Sequence, residues 1–358
     1  MPRPQVQSLV ARFFPSGAYA GRGVVLALVD SGFYPHPDLL QPRSRIRGYA
    51  DVTRDVPVER DLLARQAWSW HGTMTACCAA GSGYLSGGRY RSLAYESEVV
   101  LIKASDDEGK IRGKALAAAL RFPLRHPDLG IRILSVSVGV DDDDPDASDV
   151  ELAVHELTLA GIIVIAAAGN TPGAAPSPPG SASHAITVGG ADDRNTDERD
   201  DDRPWPSSFG KNRHGLDKPE LLAPSIFVPA PMLPGTFQAR EAHALYELLS
   251  VLEEVRLDPP RDERERNSAL GLLEAVEERL TLQKYIAPDY QHVDGTSFAA
   301  PVVASVVAQM LEANPRLTHV QVREGLVATA RALPGVPTEQ QGAGMVDPAA
   351  AVAWAERA

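Results

Sequence analysis

Short apolar runs alternate with helix-like stretches along most of this chain, and this alternation restricts the fold more than any other feature. Each run is rich in Val and Ile and ends at Gly, Asp or Ser, which is typical of strands buried on both faces. Such strands separated by helices predict an α/β three-layer sandwich with a mostly parallel central sheet. The strand candidates are residues 24–29, 99–103, 131–138, 162–168 and 185–188, and the helix candidates are residues 71–80, 113–125 and 148–160.

Asp30, Gly139 and Asn170 come at or directly after the ends of three predicted strands. The carboxyl ends of parallel strands meet at one edge of a sheet, and ligands bind in the crevice beyond that edge. We therefore expect these residues to face a common site.

Residues 237–285 show a different pattern, in which leucine and valine recur at helical spacing in two stretches. Asp258-Pro259-Pro260 separates the stretches, which predicts a pair of amphipathic helices. We expect residues 1–358 to form a single domain, with 237–285 as a helical insertion within it.

Composition excludes several classes of function. The formal net charge of −12 argues against a nucleic-acid partner and against docking on an anionic membrane. Cys77 and Cys78 are the only cysteines and are adjacent, so we expect no disulfide framework and a reducing compartment. Residues 1–20 lack the pattern of a signal peptide, and no stretch of about 18 residues is uniformly apolar. Together these features predict a cytoplasmic protein.

Four residues carry side chains suited to acyl-transfer chemistry, although each also has an ordinary structural explanation. Asp30 and Asn170 lie in segments typical of turns, and Ser297 precedes a helical run, where serine is a common cap. His71 begins a predicted helix, where a structural role is equally common. Their order, local sequence and placement at strand ends together favour an active site.

The segments around these residues resemble those of the subtilisin family of serine proteases, and they follow the family's order of Asp, His and Ser. The resemblance covers nearly the whole chain outside residues 237–285. The matching segments are Asp30-Ser31-Gly32, His36-Pro37-Asp38-Leu39, His71-Gly72-Thr73, Ser137-Val138-Gly139, Ala168-Gly169-Asn170, Ala185–Gly189, Lys218–Pro224 and Gly295-Thr296-Ser297-Phe298-Ala299-Ala300-Pro301.

This resemblance implies a serine endopeptidase that works through an acyl-enzyme. Ser297 would be the nucleophile and His71 its general base. Asp30 would orient the imidazole, and the Asn170 side chain would donate a hydrogen bond to the oxyanion. No cofactor is required for this chemistry.

The resemblance also implies that an extended peptide adds as a strand beside residues 135–139. The expected substrate-binding residues are Ser135, Ser137, Gly139, Ala168 and Gly169. The acidic run that follows, residues 141–146, would favour basic substrate residues, hold a cation, or form a solvated loop, and residues 192–202 also indicate a solvated loop.

Family members commonly bind calcium in the loop that matches residues 81–91. That loop contains no carboxylate or asparagine here, and calcium prefers several oxygen ligands that include carboxylates. We therefore expect the usual calcium site to be absent and predict no metal site.

Alternatives remain within and outside the enzyme class. The substrate would be a peptide or protein, and a narrow processing protease is one alternative. A catalytically silent binding or scaffold protein on a protease fold is the other. The insertion at 237–285 would act as a lid, as a docking site for a protein partner, or as an outer decoration.

Overall fold

The computed structural model of the chain describes residues 6–13, 15, 17–54 and 65–358. Its central sheet contains seven strands that pair in parallel, in the order Leu221–Pro224, Ile186–Asp192, Ile163–Ala167, Ile131–Val136, Val25–Asp30, Glu98–Lys103 and Ile46–Asp51. A short strand, Arg203–Pro204, pairs antiparallel with Ile186–Asp192. The predicted α/β fold with a mostly parallel sheet is therefore confirmed.

In the described residues, the strands in chain order are β1 (Val25–Asp30), β2 (Ile46–Asp51), β3 (Glu98–Lys103), β4 (Ile131–Val136), β5 (Ile163–Ala167), β6 (Ile186–Asp192), β7 (Arg203–Pro204), β8 (Gly210–Lys211), β9 (Asp217–Lys218), β10 (Leu221–Pro224), β11 (Val228–Pro231), β12 (Tyr285–Ala287) and β13 (Tyr290–Val293). The α-helices are α1 (Leu9–Phe13), α2 (Pro37–Leu40), α3 (Ser69–Ala80), α4 (Gly113–Leu120), α5 (Phe122–Arg125), α6 (Ala147–Leu159), α7 (Phe237–Leu257), α8 (Glu263–Leu282), α9 (Thr296–Ala313), α10 (His319–Thr329), α11 (Thr338–Gln341) and α12 (Pro348–Ala355).

Helices cover both faces of the sheet. Leu26 and Leu28 of β1 belong to a hydrophobic cluster that includes residues of α3 and α9. Their neighbours Val25, Ala27 and Val29 belong to a second cluster that includes residues of α4 and α6. Because successive side chains of a strand point to opposite faces, this division places the sheet in the middle of three layers.

Helix α9 packs against one face of the sheet, with its first turn beside the segments that follow β4 and β5 and its last turn beside the segment that precedes β1. It is long and apolar enough to cross a membrane by length and composition, yet 83% of it is buried inside the molecule. Its contacts are with α3, α12 and the strands β4, β5, β6 and β10, which is the environment of a central core helix.

The insertion forms the predicted helical pair, α7 and α8. The two helices pack on each other through Leu252, Leu273, Val276 and Leu280, all of which are buried. Polar contacts tie the pair together and to β12, since Glu241 accepts hydrogen bonds from Arg279 and from the hydroxyl of Tyr285.

A buried ion pair joins α1 to Asp193, the residue that directly follows β6. The Arg12 guanidinium donates to both carboxylate oxygens of Asp193, at 2.6 and 2.8 Å, and neither side chain is exposed. Arg12 also donates to the carbonyl oxygen of Phe227. The prediction of a solvated loop at 192–202 was therefore wrong for Asp193, because an arginine distant in the sequence compensates for its burial.

Candidate active site

Asp30 and His71 form the most direct polar contact of the site. Asp30 is the last residue of β1 and is fully buried, and His71 lies in the first turn of α3. The imidazole Nδ1 lies 2.8 Å from Oδ1 and 2.9 Å from Oδ2 of Asp30. Gly72 allows this approach, because a Cβ atom there would lie 2.3 Å from the Gly32 carbonyl oxygen and 2.8 Å from Cβ of Asp30.

The charge of Asp30 sets the proton affinity of His71. Burial by itself would lower the pKa of the imidazole, but the negative charge and the hydrogen bond of Asp30 outweigh it and raise the pKa above 6.5. The protonated form of His71 is thus stabilised by a carboxylate that holds the Nδ1 side of the ring. This leaves Nε2 as the nitrogen that exchanges protons.

Other donors also meet the Asp30 carboxylate. Ser31 donates to Oδ1 from its backbone N–H at 2.7 Å and from its hydroxyl at 3.2 Å. The Thr75 hydroxyl lies 3.1 Å from Oδ2. Thr75 was not predicted as a site residue from the sequence, although its position one helical turn after His71 places the two side chains on the same face of α3.

Ser297 lies in the first turn of α9, where its main-chain and side-chain oxygens are both bonded to Ser137. Its hydroxyl donates to the Ser137 carbonyl oxygen at 3.0 Å, and its own carbonyl oxygen accepts from the Ser137 hydroxyl at 2.8 Å. Pro301 explains the second bond, since it lacks the N–H that would otherwise bond to the Ser297 carbonyl within the helix. The His71 ring meets the Phe298 ring at a centroid distance of 5.6 Å, so the histidine lies beside this turn.

Asn170 follows β5 and is held by the same turn of α9. Its Oδ1 accepts hydrogen bonds from the backbone N–H of Thr296 at 3.0 Å and from the Thr296 hydroxyl at 2.9 Å. Because the oxygen is engaged in this way, the side-chain NH₂ group is left to donate to a ligand.

A cavity of about 160 Å³ opens between these residues. Its walls are small and uncharged, which suits an uncharged side chain more than an ionic one. The lining residues are Ser137, Val138, Gly139, Ala167, Ala168, Gly169, Asn170, Thr171, Ala174, Ala175, Ser177, Pro179, Ser208, Thr296 and Ser297.

The predicted substrate-binding residues divide into two groups. Ser137, Gly139, Ala168 and Gly169 line the cavity. Ser135 does not, because it lies in β4 between Leu28 and Ile165 of the neighbouring strands, with its hydroxyl buried and without a hydrogen-bond partner among the described residues. The structure therefore does not bring the Ser135 side chain to the site.

The loop at 81–91 packs against Asp38. The Asp38 carboxylate accepts from the Tyr290 hydroxyl at 2.8 and 3.0 Å and from the Leu85 backbone N–H at 3.4 Å. Burial raises the pKa of Asp38 to about 6 despite these bonds.

Among the described residues, His36, Asp38 and Cys77 are the one group whose ligand atoms lie close enough to share an ion. His36 Nδ1 already accepts from the backbone N–H of Asp38, and burial raises the pKa of the Cys77 thiol well above its ordinary value. These side chains are engaged by other groups of the same chain, and we assign no metal to them.

This fold and this site together define a subtilisin-like serine protease. The chain belongs to the subtilase family, whose model matches residues 21–345.

Similarity to individual proteins agrees with this assignment. The chain is 30% identical over 314 residues to the serine protease AprX of Bacillus subtilis, in an alignment that covers 85% of this chain and 60% of AprX. It is 25% identical over 331 residues to subtilisin BL of Lederbergia lenta, covering 92% of this chain and 91% of that protein. The solved structure of the prenylagaramide maturation protease PagA has the same fold, with a TM-score of 0.60, 17% identity and 93% of each chain covered.

Proposed function

We propose that this protein is a serine endopeptidase that hydrolyses peptide bonds through an acyl-enzyme, with Asp30, His71 and Ser297 as its catalytic triad. The observation that carries the proposal is the buried Asp30 carboxylate on Nδ1 of His71, beside the helix turn that presents Ser297.

Each step then has a residue to perform it. The Ser297 hydroxyl turns from Ser137 toward Nε2 of His71, which accepts its proton as the oxygen attacks the substrate carbonyl. The Asn170 side-chain NH₂ and the backbone N–H of Ser297 donate to the oxyanion that forms. His71 then returns the proton to the leaving amine, and water repeats the sequence to release the acyl group.

The chemistry needs no metal or cofactor, because the general base and the oxyanion donors come from the chain itself. The peptide runs beside residues 137–139, with one side chain in the cavity of about 160 Å³. The cavity admits a side chain of modest size without charge. A cytoplasmic location remains a prediction from the sequence.

The insertion is the feature that would narrow the substrate range. Gln238 of the insertion and Thr236, which directly precedes the insertion, line a second cavity of about 540 Å³ together with Trp70 and Met74 of α3. The Trp70 ring in turn meets the His71 ring edge to face at 5.4 Å. This proximity supports a processing protease in which α7 and α8 influence which proteins reach the site.

Covalent labelling tests the proposal. Wild-type protein and Ser297→Ala are treated with a fluorophosphonate, and the intact masses are compared. A single adduct on the wild type that is absent from Ser297→Ala is expected for an assembled triad. A folded wild type that gains no adduct would contradict the proposal and favour the silent scaffold.

A further inference from the structure

We propose that Thr75 is a positioning residue that fixes the Asp30 carboxylate against His71. The inference rests on the proposed function, since its effect is on the base that activates Ser297. Thr75 is 1% exposed and follows His71 by one turn of α3. Its Oγ1 lies 3.1 Å from Oδ2 of Asp30, within hydrogen-bonding distance.

The hydroxyl has a single proton and two neighbouring acceptors, Oδ2 of Asp30 at 3.1 Å and the Gly72 carbonyl oxygen at 3.0 Å. If the proton pointed at Gly72, a hydroxyl lone pair would face a buried carboxylate. The ionised oxygen is also the stronger acceptor. The proton is therefore donated to Asp30.

The two carboxylate oxygens are held in different ways. Oδ1 is held by the backbone N–H and the hydroxyl of Ser31. Apart from His71, Thr75 is the donor to Oδ2 among the residues that the structure describes. Rotation of the carboxylate about its Cβ–Cγ bond would break the contact with His71, and Thr75 opposes that rotation.

Burial gives the same bond an electrostatic role. Asp30 is fully buried, and an ionised carboxylate without water is stable only when its oxygens accept hydrogen bonds. Thr75 thus acts through Asp30 on His71 and makes no contact with the substrate.

Two variants of Thr75 separate the effect of its hydroxyl group from the effect of its packing. Thr75→Val keeps the shape and removes the donor, whereas Thr75→Ser keeps the donor and removes a methyl group. Cys78→Ala, a buried change on the same helix, controls for lost packing. The measurements are the second-order rate of fluorophosphonate labelling at Ser297 and the NMR resonance of the His71 Nδ1 proton.

We expect Thr75→Val to label about tenfold more slowly, the size of effect typical of one hydrogen bond to a charged group, and to shift the Nδ1 resonance. Thr75→Ser should stay within about threefold of the wild type, and Cys78→Ala should change thermal stability only. If Thr75→Val does not fold, Thr75→Cys replaces it, with a weak donor and the same expected slowing.

Labelling of Thr75→Val at the wild-type rate, or an equal loss in Thr75→Val and Thr75→Ser, would overturn the positioning role. Failure of the proposed function would look different, because the wild type itself would then gain no adduct at Ser297.

Discussion

Both carboxylate oxygens of Asp30 lie within 2.9 Å of Nδ1 of His71, so the imidazole is held by the charge of the whole carboxylate. The contact stabilises the imidazolium and raises the pKa of His71. In the proposed mechanism His71 must be neutral to accept the Ser297 proton, so activity should be lost as the pH falls through this raised pKa.

We expect the acid limb of the rate of Ser297 labelling to lie above pH 6.5 in the wild type. In Asp30→Asn, no negative charge opposes the effect of burial on the pKa of His71. This pKa should therefore fall, and the acid limb of the labelling rate should move to lower pH. The rate at neutral pH should fall by about 10⁴. Asp107→Asn, which removes the same charge from an exposed loop, is the control and should leave both quantities unchanged.

Asn170→Ala should reduce the turnover of a peptide substrate by about 10²–10³ with little change in fold, because it removes one oxyanion donor. Turnover and melting temperature measured together test this. Asn314→Ala makes the same change at the other end of α9 and should retain activity. Equal losses in the two variants would point to a helix-packing role for Asn170.

Cys77 and Cys78 should not react with thiol reagents in the folded protein. Both belong to the core on α3, and burial raises the pKa of Cys78 to about 12. Reaction with a chromogenic disulfide should therefore appear only when denaturant unfolds the chain. Rapid reaction of the native protein, or inhibition by mercurials, would contradict this account.

Deletion of residues 240–284 tests the insertion as a lid or docking element. If α7 and α8 restrict access, the deletion should change cleavage of a folded protein by at least about tenfold while cleavage of a short peptide stays nearly constant. Circular dichroism should establish that the shortened chain folds. An equal loss of cleavage on both substrates, or no change on either, would contradict the lid and indicate that α7 and α8 are an outer decoration that does not control access.

The ion pair of Arg12 and Asp193 predicts a strongly non-additive pair of mutations. Arg12→Met leaves a buried carboxylate without its partner and should lower the free energy of unfolding by about 3–5 kcal/mol. The double variant Arg12→Met/Asp193→Leu should recover most of this loss, because neither charge of the pair is then left buried without its partner. Denaturant unfolding of the single and double variants measures the coupling, and simple additivity would contradict it.

The fold was predictable because strands buried on both faces are apolar throughout. β2 was missed for the opposite reason, since it is an edge strand of sequence Ile-Arg-Gly-Tyr-Ala-Asp with partly exposed positions. The predicted helix 113–125 is two helices, because Pro123 cannot donate the backbone bond that would join them.

The site residues that lie in recognisable sequence segments were predictable. The features that depend on contacts between residues far apart in the sequence were not. The resemblance to a family identified Asp30, His71, Asn170 and Ser297 as a group. No local pattern shows that the Ser135 side chain is buried in the core, or that Asp193 meets an arginine 181 residues away. Such pairings depend on tertiary geometry, which periodicity does not encode.

The central position of α9 has a consequence for synthesis. Ser297, the proposed nucleophile, is carried by a helix that packs against β4, β5, β6 and β10, all of which precede it in the sequence. A ribosome-bound chain that has not yet exposed this helix contains Asp30 and His71 but lacks Ser297. Activity from the proposed triad can therefore arise only after α9 has been made and has packed against these strands, so a chain interrupted before α9 cannot use this triad to attack its neighbours.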